Sequence, residues 1–205
     1  MIRQERAVRT RCALIVAAAT AFEQRGYAEA TLSMISTGAG VSPGALHFHF
    51  ENKAAVGAAV ELAAVGSLRA LAAAVYARRS SALQALTDTS HALARALMSD
   101  VVMRAGFRLA RETAYAASLD LRGEWHAHVD RLLAEAAAED ALLPGLSPHP
   151  VSALVVAVTT GLEVLAQDDG EWLSARSLAG FWRLVLPALA TPAALRGLDV
   201  AGPRV

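Results

Sequence analysis

The chain has 205 residues, of which 55% are hydrophobic and 19% charged, and its formal net charge at pH 7 is zero. This length and hydrophobicity allow a substantial core and argue against a disordered chain. The single cysteine, Cys12, excludes an intramolecular disulfide and a metal site built from cysteines. Alanine and leucine dominate, so we predict an all-α fold. We expect no cofactor or metal, and the single cysteine fits a reducing, cytoplasmic location.

Basic residues are concentrated at the start of the chain. Residues 1–53 contain six Lys and Arg and four Glu, a net charge of +2 (6 − 4) within a neutral protein. Four of the arginines are spaced to line an N-terminal arm and a first helical turn, where they can meet DNA phosphates: Arg3, Arg6, Arg9 and Arg11. The alternative is an ordinary solvated helix start, and the motif that follows favours the DNA interpretation.

A segment beginning at Thr31 has the pattern of two short helices joined by a tight turn. Thr31 and Ser42 are residue types that cap helix N-termini. Gly40 can supply the positive φ that such a turn commonly needs, and Pro43 fits the first position of the second helix. The pattern predicts a DNA-reading helix-turn-helix, with the second helix at about 43–48 as the recognition helix.

Residues within and around this segment also form a longer signature. It consists of Phe22, Arg25-Gly26-Tyr27, Ile35, Ala39-Gly40-Val41-Ser42, Gly44-Ala45-Leu46, Phe48-His49-Phe50 and Lys53. This signature resembles the DNA-binding domain of the tetracycline-repressor (TetR) family. Two later islands, Arg104-Ala105-Gly106-Phe107-Arg108-Leu109 and Glu124-Trp125, resemble one branch of it, the γ-butyrolactone autoregulator receptors of actinobacteria.

The resemblance implies a homodimeric repressor that binds a pseudo-palindromic DNA operator. It places a three-helix DNA-binding domain in residues 1–52 and a helical ligand-binding and dimerisation domain in residues 53–205, connected by a long helix. Besides Arg3, Arg6 and Arg9, the implied DNA contacts are Thr31, Ser42, Pro43, Gly44, Ala45, His47, Phe48 and Lys53. Lys53 matches a position that meets the DNA backbone, whereas Pro43 and His47 stand where the family often has lysine and tyrosine.

Base reading then falls to small and apolar side chains. Ala45 and Phe48 suit contact with thymine methyl groups rather than hydrogen bonds to guanine. The alternative for Phe48 is a place in the core, which we also predict for Phe50. Exposure of Phe48 decides between the two.

Periodic apolar residues predict a helix from Lys53, capped by Asn52, to about Arg79. Further helices are predicted at about 82–99, 101–112, 121–141, 149–167 and 171–189, followed by a frayed tail from Thr191. The apolar stretch 151–166 is predicted to be a buried helix, too short and polar to span a membrane. The last two helices are apolar on two faces, and the resemblance implies that one face meets a second subunit.

Four residues are candidates for binding a small apolar signalling molecule. In the resembling receptors, the tryptophan matching Trp125 lines the ligand cavity and the position of Thr159 offers a hydroxyl. Phe107 is a candidate apolar wall, and Ala64 occupies a connecting-helix position where the family frequently has glutamine. The alternatives are a core tryptophan and a threonine that bonds to its own helix.

Motifs for catalysis are not recognisable in the sequence. The run Gly38, Gly40, Gly44 lacks phosphate-loop spacing, and His126 and His128 point in different directions on one helix, as expected for surface or interface histidines. We therefore expect a regulator rather than an enzyme. Two alternatives stay open: a repressor answering to another ligand or none, and a helical carrier or enzyme with a vestigial DNA-binding motif.

Overall fold

The computed structural model describes residues 2–202, with side chains from Gln4 onward, and confirms the all-α prediction. Within these residues the only β pairing is an isolated bridge between Leu142 and Ala190. The helices are α1 Ile2–Glu29, α2 Leu32–Gly38, α3 Pro43–His49, α4 Lys53–Tyr76, α5 Ala82–Ser99, α6 Val101–Leu109, α7 Leu121–Ala138, α8 Pro148–Leu165, α9 Ala175–Leu189 and α10 Pro192–Leu195, with a 3-10 turn at Gly170–Leu173.

The predicted helices are all present, but several end earlier than expected. The helix α4 stops at Tyr76 instead of Arg79, and α6 and α7 each stop three residues short of their predicted ends. Beyond α7, Asp140 has a positive φ of 51°, which a helix cannot continue through. The predicted helix 171–189 is divided because Ser174 leaves helical geometry and its hydroxyl caps α9 by accepting from Ser177 N.

The first compact unit comprises Met1–Ser67 and Asp100–Arg122. Its core contains apolar side chains from α1, α2, α3, α4 and α6, including Leu14, Phe22, Ile35, Leu46, Phe50, Val56 and Leu109. The helix α6 is fastened to α1 by polar contacts as well. Arg104 forms an ion pair with Glu23, and Arg108 Nη1 donates to the Glu23 carbonyl oxygen at 2.5 Å. These contacts fix α6 against the end of α1, just before the break at Gly26.

A buried carboxylate joins α4 to the loop after α6 in the same unit. Glu61 is only 2% exposed, and its Oε2 accepts hydrogen bonds from Tyr115 Oη at 2.8 Å, Ser118 N at 3.1 Å and Ser118 Oγ at 2.8 Å. The Tyr115 ring packs on Tyr27 and also lies against Gly57, where an added Cβ would approach a ring carbon to 2.7 Å. Glycine at this position therefore permits the close approach of the loop to α4.

The second compact unit comprises Leu68–Ser99 and Gly123–Val205. Its central helix is α5, most of whose residues are buried. The buried polar groups on α5 have partners: Ser90 Oγ accepts from Trp182 Nε1 at 2.7 Å, and Thr87 and Thr89 donate to carbonyls one turn earlier. These packing units do not follow the predicted functional division at residue 52, which stays a prediction about function.

The end of the chain is docked on α5, so the predicted frayed tail is wrong for the described residues. Gln84 pairs with the Asp199 backbone through two hydrogen bonds. Gln84 Nε2 donates to the Asp199 carbonyl oxygen at 3.0 Å, and Asp199 N donates to Gln84 Oε1 at 2.8 Å. His91 Nε2 lies 2.9 Å from the Val200 carbonyl oxygen, and Gly202 packs on the His91 ring. Residues 203–205 lie outside the described part of the chain.

The helix α8 was predicted to be buried, and this is wrong for the single chain. Leu154, Val164 and Leu165 on α8 are exposed, as is Leu184 on α9, at 80%. By length and composition alone, α4 and α8 are apolar enough to cross a membrane, although core helices of soluble proteins often satisfy the same criterion. The exposed side chains give α8 and α9 unpaired apolar surface.

Candidate nucleic-acid interface and effector site

The turn between α2 and α3 is built by the residues that the sequence indicates. Thr31 Oγ1 accepts from Met34 N at 3.2 Å, and Ser42 Oγ accepts from Ala45 N at 3.2 Å, so both predicted N-caps are confirmed. Gly40 has the predicted positive φ, 66°, and Val41 N donates to Ser36 O at 3.0 Å across the turn. The caps and the glycine fix the relative direction of the two helices.

The helix α3 has one face in the core and one in solvent. Leu46 and Phe50 are buried, which confirms the core position of Phe50. Phe48 is 79% exposed, so the alternative of a core Phe48 is wrong. The exposed surface of this segment also includes the other predicted contacts Thr31, Ser42, Pro43, Gly44 and His47, while Ala45 is half-buried. An exposed phenylalanine beside small and polar residues can enter a DNA groove.

The predicted basic arm is helical, because α1 already begins at Ile2. Arg6 and Arg9 are exposed and lie three residues apart, so they share one face of α1. Arg11 is also exposed, with its guanidinium 5.2 Å from the Phe50 ring centroid. The side chain of Arg3 lies outside the described residues. Arg6 and Arg9 thus project their charge from one face of a helix.

Lys53 makes contacts that the sequence analysis did not foresee. Its Nζ donates to the carbonyl oxygens of Tyr27 at 2.8 Å, Ala28 at 3.1 Å and Ala30 at 3.1 Å, and lies 4.5 Å from the Tyr27 ring centroid. An ammonium group has three donors, and all three are used here. The geometry therefore favours a structural role for Lys53, and its predicted phosphate contact would compete with these bonds.

Two of the four effector candidates lie together in the second unit. Trp125 is 2% exposed, and its Nε1 donates to Thr159 Oγ1 at 2.9 Å. Thr159 in turn donates to the Val155 carbonyl oxygen at 2.8 Å, which is the predicted back-bonding alternative, and its contact with a ligand stays a prediction. A cavity of about 10 Å³ lies beside Thr159. Since this is too small for a ligand, an effector that uses this hydroxyl must displace neighbouring side chains.

The other two candidates belong to the first unit. Phe107 is buried, with the Arg122 guanidinium 6.0 Å from its ring centroid. Ala64 is fully buried against Gly106, where an added Cβ would lie 2.5 Å from the Ala64 Cβ. The small side chain at 64 therefore allows α4 and α6 to approach closely. A glutamine would not fit there without a change in packing.

His128 was predicted to be a surface or interface histidine, and this is wrong. It is buried, with Nδ1 2.8 Å from Arg131 Nη2 and Nε2 3.4 Å from Thr89 Oγ1. Burial, together with the positive charge of Arg131, lowers the pKa of His128 to about 4, so the imidazole is neutral at pH 7. His126 is half-exposed and near Asp130. The described residues contain no cluster of three or more potential metal ligands.

Comparison with known proteins places this architecture in a family. Residues 14–60 match the model described as bacterial regulatory proteins, tetR family. The chain is 30% identical to the A-factor receptor protein of Streptomyces griseus over 203 residues, which cover 98% of this chain and 71% of that protein.

Two solved structures are similar over 96% of both chains at 30% identity: a γ-butyrolactone receptor (ArpA-like protein), with a TM-score of 0.82, and CprB from Streptomyces coelicolor, with a TM-score of 0.80. CprB in complex with its operator sequence also matches, with a TM-score of 0.76, 30% identity and coverage of 93% and 94% of the two chains. These matches confirm both resemblances predicted from the sequence. The chain belongs to the tetR family of bacterial regulatory proteins.

Proposed function

We propose that this protein is a homodimeric, DNA-binding transcriptional repressor that a small signalling molecule releases from its operator. The observation that carries the proposal is the capped helix-turn-helix, whose α3 keeps Leu46 in the core and directs Phe48 into solvent. The proposal is also supported by the relatives, which include an A-factor receptor, a γ-butyrolactone receptor and a regulator solved with its operator. The proposed function is regulatory rather than catalytic, and a protein that binds operator DNA works in the cytoplasm.

In this proposal, residues 1–52 read the DNA and residues 53–205 bind the effector and form the dimer. Phosphates are met by Arg6 and Arg9 on α1 and by the N-terminal turn of α3, where the helix dipole attracts anions. Phe48 and Ala45 face the bases. His47, exposed on α3, donates to a phosphate in place of the usual tyrosine.

Dimerisation uses the exposed apolar surface of α8 and α9. Leu154, Val164 and Leu184 would remain in water in a single chain, which is unfavourable for large apolar side chains. A two-fold axis through this surface pairs each helix with its copy and repeats the recognition helices symmetrically. Such a dimer requires an operator of two inverted half-sites.

The effector is a small, largely apolar molecule of the γ-butyrolactone type, and its contacts are Trp125 and Thr159. The indole offers an apolar face, while the Thr159 hydroxyl can donate to a ligand carbonyl. The indole N–H donates to Thr159 and the Thr159 hydroxyl donates to the Val155 carbonyl oxygen, so a ligand carbonyl must replace one of these two acceptors. A ligand that binds one conformation better than the other shifts the equilibrium, and here it favours the form that releases DNA.

Footprinting on the DNA upstream of the protein's own coding region tests the proposal. We expect two protected half-sites related by inversion, with their centres about one helical turn or a multiple apart. Selection from a pool of random duplexes should recover the same palindrome. The matched control is Phe48→Ala, which alters only an exposed side chain and should lose protection while keeping its melting temperature. Recovery of no duplex by the wild-type dimer would refute the proposal.

A further inference from the structure

A groove in the second unit lies between the last turns of α4 and the first half of α7. It encloses about 510 Å³, within the range of small-molecule sites. Its walls come from one face of each helix, and alanines such as Ala72, Ala73 and Ala127 leave the space. Leu68 adds to the apolar surface, and Tyr76 lies at one end.

Two arginines line this groove, Arg69 and Arg131, and a third, Arg79, stacks on the Tyr76 ring at its wall. Arg69 and Arg79 each have a carboxylate partner. Arg69 makes two hydrogen bonds to the Glu124 carboxylate, at 2.6 and 2.9 Å. Arg79 lies 3.8 Å from Glu135, whose other oxygen accepts from Tyr76 Oη at 3.2 Å. The charge of each of these two arginines is therefore balanced by a neighbouring carboxylate.

Arg131 is different because its partner is uncharged. Its Nη2 donates to Nδ1 of the neutral His128, and its guanidinium lies 5.3 Å from the Tyr76 ring centroid. Among the residues that the structure describes, Arg131 makes no ion pair with a carboxylate. Arg131 is itself exposed on the groove wall, so the groove presents one uncompensated positive charge beside an apolar surface.

We propose that this groove binds a small amphipathic carboxylate, with the carboxylate on Arg131 and the apolar body on the alanine surface of α4 and α7. A guanidinium matches a carboxylate in shape and can donate two parallel hydrogen bonds to it. This site is separate from the proposed contacts at Trp125 and Thr159 and does not depend on them.

Ligand binding in the groove can affect Trp125 through Arg131 and His128. A carboxylate on Arg131 competes with His128 for the guanidinium, and the His128 ring centroid lies 5.9 Å from that of Trp125. Loss of the Arg131 hydrogen bond frees His128 to change its packing on the indole. Binding should therefore alter the fluorescence of Trp125.

Calorimetric titration of the full chain with octanoate tests the proposal, with octanamide as a neutral molecule of the same length. We expect octanoate to bind about tenfold or more tightly than octanamide, as a charge-assisted hydrogen bond implies. Arg131→Gln should weaken the affinity for octanoate at least tenfold and leave the affinity for octanamide unchanged. Arg78→Gln, the same change at an exposed arginine that does not line the groove, should stay within twofold of wild type.

A second variant tests the apolar half of the site. Ala73→Leu fills the groove from an exposed helical position that tolerates leucine, and should abolish most binding of both molecules. Thr159→Val should leave octanoate binding unchanged, which separates this site from the proposed effector contacts. Equal affinities for octanoate and octanamide, an unaffected Arg131→Gln or Ala73→Leu variant, or no binding by the wild type at millimolar octanoate would overturn the proposal.

Discussion

The hydrogen bond between Trp125 and Thr159 can be tested by removing each partner separately. Thr159→Val keeps the volume of the side chain but leaves the buried indole N–H without an acceptor, at a cost of about 1–3 kcal/mol. Trp125→Phe removes the donor instead. The Thr159 hydroxyl then stays satisfied, because it still donates to the Val155 carbonyl oxygen. We expect a loss of about 1–2 kcal/mol from the missing bond and the smaller ring.

The double variant carries the decisive information. In the Trp125→Phe background, Thr159→Val leaves no buried donor without an acceptor. The loss of unfolding free energy in the double variant should therefore be about 1 kcal/mol smaller than the sum of the two single losses. Denaturant unfolding at a fixed protein concentration measures the free energies, and for this chain length 1 kcal/mol corresponds to roughly 2–4 °C in melting temperature. Thr160→Val, the same change one residue along, is the matched control. Strictly additive losses would refute the reasoning.

The same variants separate packing from effector binding. If Thr159 also contacts the effector, Thr159→Val should keep operator affinity but raise the effector concentration needed to release the operator. Control titrations with Thr160→Val should match the wild type. A destabilised Thr159→Val protein with an unshifted release midpoint would assign the hydroxyl to the core alone and leave the effector site elsewhere.

Three further predictions follow from the positions of single side chains. Lys53→Ala should lower the melting temperature because three carbonyl oxygens lose their donor, and an unchanged salt dependence of operator affinity would exclude the phosphate contact. Ala45→Gln should change the preferred bases in a duplex selection without changing stability, and unchanged preferences would remove Ala45 from the base contacts. His128 binds a proton near pH 6.5 when unfolded but only near 4 when folded, so stability should fall as pH drops through that window. His128→Gln should reduce the fall, measured as denaturant midpoints at pH 7 and pH 5, whereas an equal fall would assign it to other groups such as His91, whose pKa burial also lowers.

Local signals made the DNA-binding motif predictable. The two caps, the turn glycine and Pro43 act within a few residues of their own positions, so their geometry can be inferred from adjacent sequence. The spacing of Leu46 and Phe50 likewise places them on one helical face. The position of Phe48 was ambiguous. It lies two residues from both Leu46 and Phe50, so it cannot share their helical face, and its apolar side chain alone does not show whether it packs in the core or faces solvent.

The features that the sequence did not predict depend on distant partners. Lys53 bonds to carbonyl oxygens 23 to 26 residues earlier, and Gln84 pairs with a backbone segment 115 residues later. His128 is buried with both ring nitrogens in contact with hydrogen-bonding partners, Thr89 and Arg131. Thr89 lies on α5, so no residue spacing along α7 could indicate this contact. Burial of a polar side chain depends on such contacts, whereas the periodicity of apolar residues indicates only which face of a helix is apolar.

The docked segment at 199–202 has a practical consequence for handling the protein. A truncation after residue 198 would remove the backbone partners of Gln84 and His91, and would uncover a histidine ring that is now 2% exposed. Gly202 has a φ of 74° and no room for a Cβ against that ring, so even a conservative replacement there would push the segment off α5. Affinity tags placed close to this end sit beside a packed surface, and those placed at the other end adjoin the helix that carries Arg6 and Arg9. Each tag position therefore needs a cleaved control before a binding constant is interpreted.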